Sequence, residues 1–287
     1  MIVDAHLHLF RNGYGKFRTA GAAREVDAYE QLMDRHGIEA GLVVCYEADG
    51  IDPGNNAYVR ELARTRPWIN SLAFLEPHPA PTVGRIEELL AAGHIGIAVY
   101  LPDAVSANAL CYWPETIWER LGRAHAIVSF NARPEATAHL QPLVDRATDC
   151  AFLFSHLGLP GRSDEMSTSR QAAERLDPLL RLASRPNVGV KISGLYAIDP
   201  IPPHAGARPF VEIVLQRFAP SNLHWGSDFS PALGFVSFEQ TTAVPGLEFL
   251  GPADRDMVFG EGLMAKIRRA RLCGTGQAGP YTKSHLP

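Results

Sequence analysis

The chain lacks paired cysteines. Cys45, Cys111, Cys150 and Cys273 are scattered through 287 residues with no CxxC spacing. That argues against a disulfide framework and for reduced thiols in the cytoplasm, with Cys45 and Cys150 as small core residues. No apolar run is long enough to cross a bilayer, so no membrane span is expected. A net charge of -4 gives no basic excess, which excludes a nucleic-acid partner as the default. The N-terminus, Met1-Ile2-Val3-Asp4-Ala5-His6, has no cationic segment before an apolar stretch. It reads as a strand rather than a signal peptide. Fixed-period repeats and low-complexity tracts are also missing. So is a glycine-rich phosphate fingerprint after the first strand, which counts against an open doubly wound sheet.

What is present is ample core material, with 46% hydrophobic side chains. Short β-rich runs at 2–5, 40–46, 69–75, 95–100, 126–130, 151–155, 188–192 and 223–226 are nearly continuous in apolar residues, as parallel strands buried on both faces are. Helical spacing fills the intervals at 22–36, 56–66, 83–92, 115–125, 134–147, 170–183 and 210–218. Strand–helix alternation repeated eight times predicts an α/β fold, a single (β/α)8 TIM barrel over residues 1–272. Residues 273–287, rich in glycine, proline and polar residues, read as a C-terminal tail. Two long loops are expected. One, at 9–21, carries Phe10, Arg11, Tyr14, Phe17 and Arg18; the other, at 229–251, carries Phe229, Phe235, Phe238 and Phe249. Because the first and eighth strands of a closed barrel are neighbours, these loops should meet over one mouth as lids.

Barrel active sites are built at strand C-termini, and three such ends carry suggestive residues. His6-Leu7-His8 puts two imidazoles on one face of the first strand, where they could hold a metal or bind one substrate group. His156 follows the sixth strand in phase with Phe152 and Phe154. Asp228 ends the eighth-strand run Trp225-Gly226-Ser227-Asp228. Singly, each has a bland reading: structural histidines, a core histidine, a helix N-cap. Their common position favours a site. Arg133 and Arg162 stand just beyond strand ends and suit a substrate carboxylate. Tyr100, His78 and Tyr196 are substrate-binding candidates on the same positional ground. Lys191, on one face with Ser193, reads as a core-spanning lysine with a buried stem.

His6-Leu7-His8, Ser155-His156-Leu157-Gly158, Val190-Lys191-Ile192-Ser193-Gly194-Leu195 and Gly226-Ser227-Asp228 together resemble the amidohydrolase superfamily. The resemblance is strongest to its amidohydrolase 2 branch, which includes 2-pyrone-4,6-dicarboxylate lactonase and sugar-lactonase relatives. Residues 254–267 resemble the family's final helix, with Gly262-Leu263 where Asn-Ala is common. Metal-dependent members carry a histidine at the fifth strand's end, where this chain has Ser129-Phe130-Asn131-Ala132-Arg133. Two-metal members carry a bridging lysine or glutamate at the fourth, where it has Val99-Tyr100-Leu101-Pro102-Asp103. The resemblance therefore implies at most one divalent metal such as Zn2+, held by His6, His8 and Asp228 with or without His156. A metal-free site stays equally open.

The expected function is a hydrolase that opens a small lactone or related cyclic ester or amide. Asp228 would be the base on water, the histidines would polarise the carbonyl, and the aromatic loops would exclude solvent. The partner is a small molecule, which a carboxylate-bearing lactone would suit; homo-oligomerisation is left open. One alternative is a metal-dependent decarboxylase of an aromatic or unsaturated acid, against which the missing fifth-strand histidine argues. The other is a non-catalytic binding barrel, against which Asp228 argues.

Overall fold

Eight strands form in chain order: β1 (Ile2–Leu7), β2 (Ile38–Val44), β3 (Ile69–Phe74), β4 (Gly96–Leu101), β5 (Ile127–Ala132), β6 (Ala151–Phe154), β7 (Val188–Ile192) and β8 (Leu223–Trp225). The computed structural model describes residues 1–18, 22–48, 50–51, 53–163 and 166–274. Each strand pairs in parallel with the next, in the order β1 to β8. The ring closes through a parallel bridge between Leu7 and Phe229. The Asp228 N–H donates to the His6 carbonyl at 2.8 Å, and the His8 N–H donates to the Phe229 carbonyl. The expected (β/α)8 barrel is the fold observed.

Its core has two layers. Val3, Ala5, Leu42, Leu72, Ile127 and Leu153 fill the barrel interior, with Leu263 and Ile267 of the last helix packed against them. A larger layer of apolar side chains, including Tyr29, Val59, Leu90, Trp118, Phe152 and Phe210, lies between the strands and the surrounding helices. Apolar residues on both faces of the strands from β1 to β6 are what made those strands legible as nearly continuous runs, whereas β7 and β8 carry theirs on the outer face.

The helices depart from expectation in three places. An additional helix, Ala104–Cys111, follows β4, started by a capping box in which Asp103 and Ser106 bond each other's backbone N–H. The expected segment 134–147 splits into Pro134–Thr137 and Gln141–Arg146. The last helical region has a π turn, Met257–Glu261, between Pro252–Asp256 and Gly262–Gly274. The second long loop is not bare: it holds short helices Pro231–Gly234, Phe238–Thr242 and Leu247–Phe249. Most of the expected tail at 273–287, and residues 19–21 of the first loop, lie outside the described residues.

One irregularity positions the site. Asp4 pairs with Gly41 but Leu7 with Val43, so β1 has one residue more than β2 over this interval. Such a bulge re-aims the side chains that follow it. Val3 and Ala5 face the interior, whereas Leu7 joins the outer layer. His6 and His8, on either side of Leu7, point into the barrel mouth.

Candidate active site

The ends of β1, β5, β6, β7 and β8 bring together His6, His8, Ser129, His156, Lys191 and Asp228, all buried. His6 Nε2 lies 3.1 Å from His8 Nε2. Asp228 Oδ1 lies 3.6 Å from the first and 3.7 Å from the second. The His6 and His156 ring centroids are 4.6 Å apart. The four residues expected to converge do so at the C-terminal end of the strands.

Two of them arrive by a route that strand alternation does not predict. Phe152 and Phe154 face the outer layer, so a histidine in phase with them would point away from the mouth. The strand instead ends at Phe154, and His156 takes φ +54, which turns its ring inward. Gly194 makes room, because a Cβ there would fall 2.4 Å from His156 Nδ1. Asp228 likewise has φ +58. Non-glycine residues held in this region cost about 1–3 kcal/mol each and tend to cluster at functional sites.

The hydrogen bonds fix which atoms face the mouth. His8 Nδ1 pairs with the Val44 carbonyl at 2.7 Å, so Nδ1 carries the hydrogen and Nε2 presents a lone pair. Tyr196 donates its hydroxyl to Asp228 Oδ2 at 2.5 Å, leaving Oδ1 toward the histidines. Ser193 Oγ accepts from the His156 backbone N–H at 3.4 Å and lies 3.0 Å from its Nδ1. A Ser193 hydroxyl that donates to Nδ1 leaves the hydrogen of His156 on Nε2. Lys191 Nζ donates to Ser129 Oγ at 2.7 Å and lies 3.2 Å from His6 Nδ1.

Burial dominates the electrostatics. It holds His8 and His156 down to about 4 and His6 well below its ordinary value, so all three are neutral at pH 7. It also lowers Lys191 to about 7, opposed by Asp4 and Asp228. Burial raises Asp228 above the usual carboxylate range, while His8, the Tyr196 hydrogen bond and Lys191 pull it back.

The substrate-binding candidates separate by position. Arg133 and Tyr100 line a cavity of about 620 Å³ that reaches His156, together with Tyr46 and Asn131. Tyr196 bonds Asp228 rather than lining that cavity. Arg162 and His78 are exposed and do not line it, His78 sitting on the surface beyond β3. The aromatic loops are also divided. Phe10 stacks on His8 at 5.7 Å and Phe235 on Tyr196 at 4.7 Å. Phe229 and Phe238 are instead buried against Tyr29, in the outer core rather than over the mouth.

Sequence reasoning underrated two residues. Lys191 was expected to be a core-spanning lysine, and its stem is buried, but its ammonium ends inside the histidine cluster. The available signal was its position one strand register below Ser193. Asp4 was not singled out. Its Oδ1 accepts from the backbone N–H groups of His6 (3.0 Å) and Ser227 (2.9 Å). Its Oδ2 accepts from Tyr29 (2.8 Å) and the Ser227 hydroxyl. It ties the β1 bulge to the segment that carries Asp228.

The donor set fits one metal ion. Separations of 3.1, 3.6 and 3.7 Å among His6 Nε2, His8 Nε2 and Asp228 Oδ1 suit ligands around one zinc, whose bonds run roughly 2.0–2.2 Å. His8 also has the backbone-carbonyl partner that orients metal-ligating histidines. A wider group of His6, His156 and Asp228 keeps its donor atoms within 4.8 Å. Among the described residues no other such group of three or more occurs.

Histidines, a lysine and a carboxylate gathered at the C-terminal mouth of a parallel barrel, beside a roomy cavity, define a barrel hydrolase. The chain belongs to the amidohydrolase family, which matches residues 3–261. A curated relative, the 4-sulfomuconolactone hydrolase of Rhizobium radiobacter, is 25% identical over 241 residues, covering 79% of this chain and 74% of that protein. Among solved structures, an amidohydrolase from Burkholderia multivorans with bound zinc aligns with a TM-score of 0.73 at 18% identity, over 93% of this chain and 99% of that one. A probable 2-pyrone-4,6-dicarboxylic acid hydrolase from Acinetobacter baumannii with citric acid bound gives 0.71 at 17% identity, with the same coverage. The structural likenesses speak to the fold. No helix among the described residues is long and apolar enough to cross a membrane.

Proposed function

We propose that this chain hydrolyses a small lactone, with Asp228 as the base that activates water. The observation that carries the reading is the asymmetry of the Asp228 carboxylate. Tyr196 occupies Oδ2, while Oδ1 faces His6 and His8 across 3.6 and 3.7 Å. A water held by Oδ1 would lose a proton to it as its oxygen attacks the lactone carbonyl carbon. In the tautomer that carries its hydrogen on Nε2, His156, whose side chain lines the cavity, would donate to the carbonyl oxygen as negative charge develops there. When the tetrahedral centre collapses, the ring C–O bond breaks. The proton on Asp228 then passes to the departing oxygen, giving a hydroxy acid and restoring the carboxylate. Arg133 would pair with a carboxylate on the substrate, and Tyr46 and Tyr100 would flank the ring.

If a zinc ion is bound, His6, His8 and Asp228 would hold it, and it would supply Lewis-acid polarisation and a more acidic water. Tyr196 keeps the same task in either case, holding Oδ2. The 4-sulfomuconolactone and 2-pyrone-dicarboxylic acid named for two relatives are both cyclic esters, which agrees with this substrate class. The decarboxylase reading has no such support, since Ser129 on β5 is engaged with Lys191.

The test is a lactone panel, neutral and carboxylated, assayed with and without added zinc in a pH-stat. One equivalent of acid per ring opened is the expected result. Carbon dioxide release from an unsaturated acid, or no turnover on any lactone, would overturn the proposal.

A further inference from the structure

Both long mouth loops turn to one carboxylate that lies outside the histidine cluster. Glu25 sits in the first turn of helix Ala22–His36 and is fully buried. Its Oε2 accepts from the Phe10 N–H at 2.7 Å, and its Oε1 accepts from the Tyr14 N–H at 3.0 Å and the Ser230 hydroxyl at 2.6 Å. Phe10 and Tyr14 belong to the loop after β1, and Ser230 to the loop after β8. Each oxygen therefore faces a backbone N–H, and both must accept, as the oxygens of an ionised carboxylate do. The N-terminal turn of a helix favours a negative charge at this place.

What Glu25 holds lies against the site from two sides. The Phe10 ring is nearly parallel to the His8 ring, with 11° between the planes and 5.7 Å between centroids. The Phe10 carbonyl accepts from the Gly13 N–H at 3.0 Å and the Tyr14 carbonyl from the Phe17 N–H at 2.9 Å, so residues 10–17 fold onto the carboxylate as one unit. Ser230 follows Asp228 by two residues, and the turn that carries both is closed by the Ala232 N–H donating to the Asp228 carbonyl at 2.9 Å. The two loops also meet where the Phe17 and Phe229 rings pack, 5.8 Å between centroids.

We propose that Glu25 is a positioning residue that sets the two mouth loops in register, holding Phe10 against His8 and anchoring the turn that carries Asp228. Its consequence for turnover rests on the lactonase reading; its hold on the ring beside His8 does not. A glutamine cannot replace it. Whichever way the amide turns, its NH2 group faces the N–H of Phe10 or that of Tyr14, and one of these donors loses its acceptor. An aspartate keeps two accepting oxygens but is one methylene shorter and cannot span both loops in place.

The test reads the His8 ring protons by NMR in the whole chain, with labelled histidine, beside kcat per folded molecule on the best lactone. Phe10→Leu calibrates the signal, because loss of the stacked ring should move the His8 resonances. Glu25→Gln should move them in the same direction and leave those of His94, just before β4, in place. It should also lower kcat about tenfold or more, since a displacement of about 1 Å at a catalytic group costs on the order of 10²-fold. Glu25→Asp should act in the same direction to a smaller extent, and it carries the test if Glu25→Gln does not fold. The proposal is overturned if either the His8 resonances or kcat per folded molecule stays at the parental value, as both would for a carboxylate that only stabilises the fold. It also falls if Phe10→Leu leaves the His8 resonances unmoved, because the stack is then absent in solution. If the parent turns over no lactone, the lactonase reading fails and the His8 resonances alone decide the role of Glu25.

Discussion

Removing the Asp4 carboxylate should damage both stability and turnover, in a graded order. Asp4 is fully buried and accepts four hydrogen bonds, from the His6 and Ser227 N–H groups and the Tyr29 and Ser227 hydroxyls. In Asp4→Ala the hydroxyls can rotate, but the two backbone N–H groups cannot. A buried donor stripped of its acceptor costs about 1–3 kcal/mol, so the two backbone groups alone predict a loss of roughly 2–6 kcal/mol. Asp4→Asn can keep Oδ1 on both N–H groups and turn its amide hydrogens toward the hydroxyl oxygens, so it should lose about 1–3 kcal/mol. Turnover should follow the same order, because Asp4 fixes the backbone beneath His6 and Asp228. A misplacement near 1 Å at a catalytic group can cost on the order of 10²-fold. Urea denaturation gives the stability, and kcat per folded molecule on the best lactone gives the second axis. An Asp4→Ala protein with parental stability and kcat would refute the reasoning. Equal losses in Asp4→Ala and Asp4→Asn would show that the Oδ1 bonds to the backbone are not what matters.

Three further outcomes follow from the site. Tyr196→Phe removes a hydrogen bond that lowers the Asp228 pKa, so the acid limb of kcat/KM should shift to higher pH and kcat should fall; an unmoved limb would separate Tyr196 from the base. Acid should destabilise the fold. Burial holds His8 and His156 near 4 and His94 near 3, all below the ordinary 6.5. Their contribution is therefore complete above about pH 6.5 and declines as pH falls toward 4. Asp4, raised by burial to about 6, works in the opposite sense between its ordinary 3.8 and 6. Glu25 and Asp228, also raised by burial, act with Asp4, and His6 and His224, held well below 6.5, act with the other histidines; the histidines outnumber the carboxylates, so unfolding at pH 5 should take up protons net, measurable from the pH dependence of urea midpoints. For metal, protein purified without chelator should contain at most one divalent ion per chain by elemental analysis, since a single compact donor group is present among the described residues; two tightly held ions would contradict the ligand assignment.

Much of this was legible in the chain because a barrel writes its strands as apolar runs and its site at their ends. His6, His8 and Asp228 could be placed at one mouth from their positions at strand ends, and alternation put the two imidazoles on one face. His156 could be placed there from its strand-end position as well, although its phase with Phe152 and Phe154 would point it outward; its left-handed backbone turns the ring into the mouth. Local periodicity cannot report that turn, nor the bulge between Asp4 and Leu7, since both arise from how neighbouring strands meet. Helix Ala104–Cys111 escaped notice because its apolar residues do not repeat at helical spacing; only the Asp103–Ser106 capping box marks it. Phe229 and Phe238 looked like lid residues because they follow β8, but a sequence does not show on which side of the barrel wall a loop folds back. The Lys191 stem was read correctly as buried, yet what its ammonium meets depends on β1 and β5, far away in the chain.

The most direct test of the account is Asp228→Asn. The amide matches the carboxylate in size and can still accept from Tyr196, so the melting temperature should stay close to that of the parent. It cannot take a proton from water near neutral pH, and general-base assistance is typically worth ~10²–10⁴-fold. The account predicts a fall in kcat of at least 10²-fold on the best lactone, with binding of that lactone largely retained. A variant that melts earlier but turns over as fast per folded molecule would contradict it and leave Asp228 a structural residue.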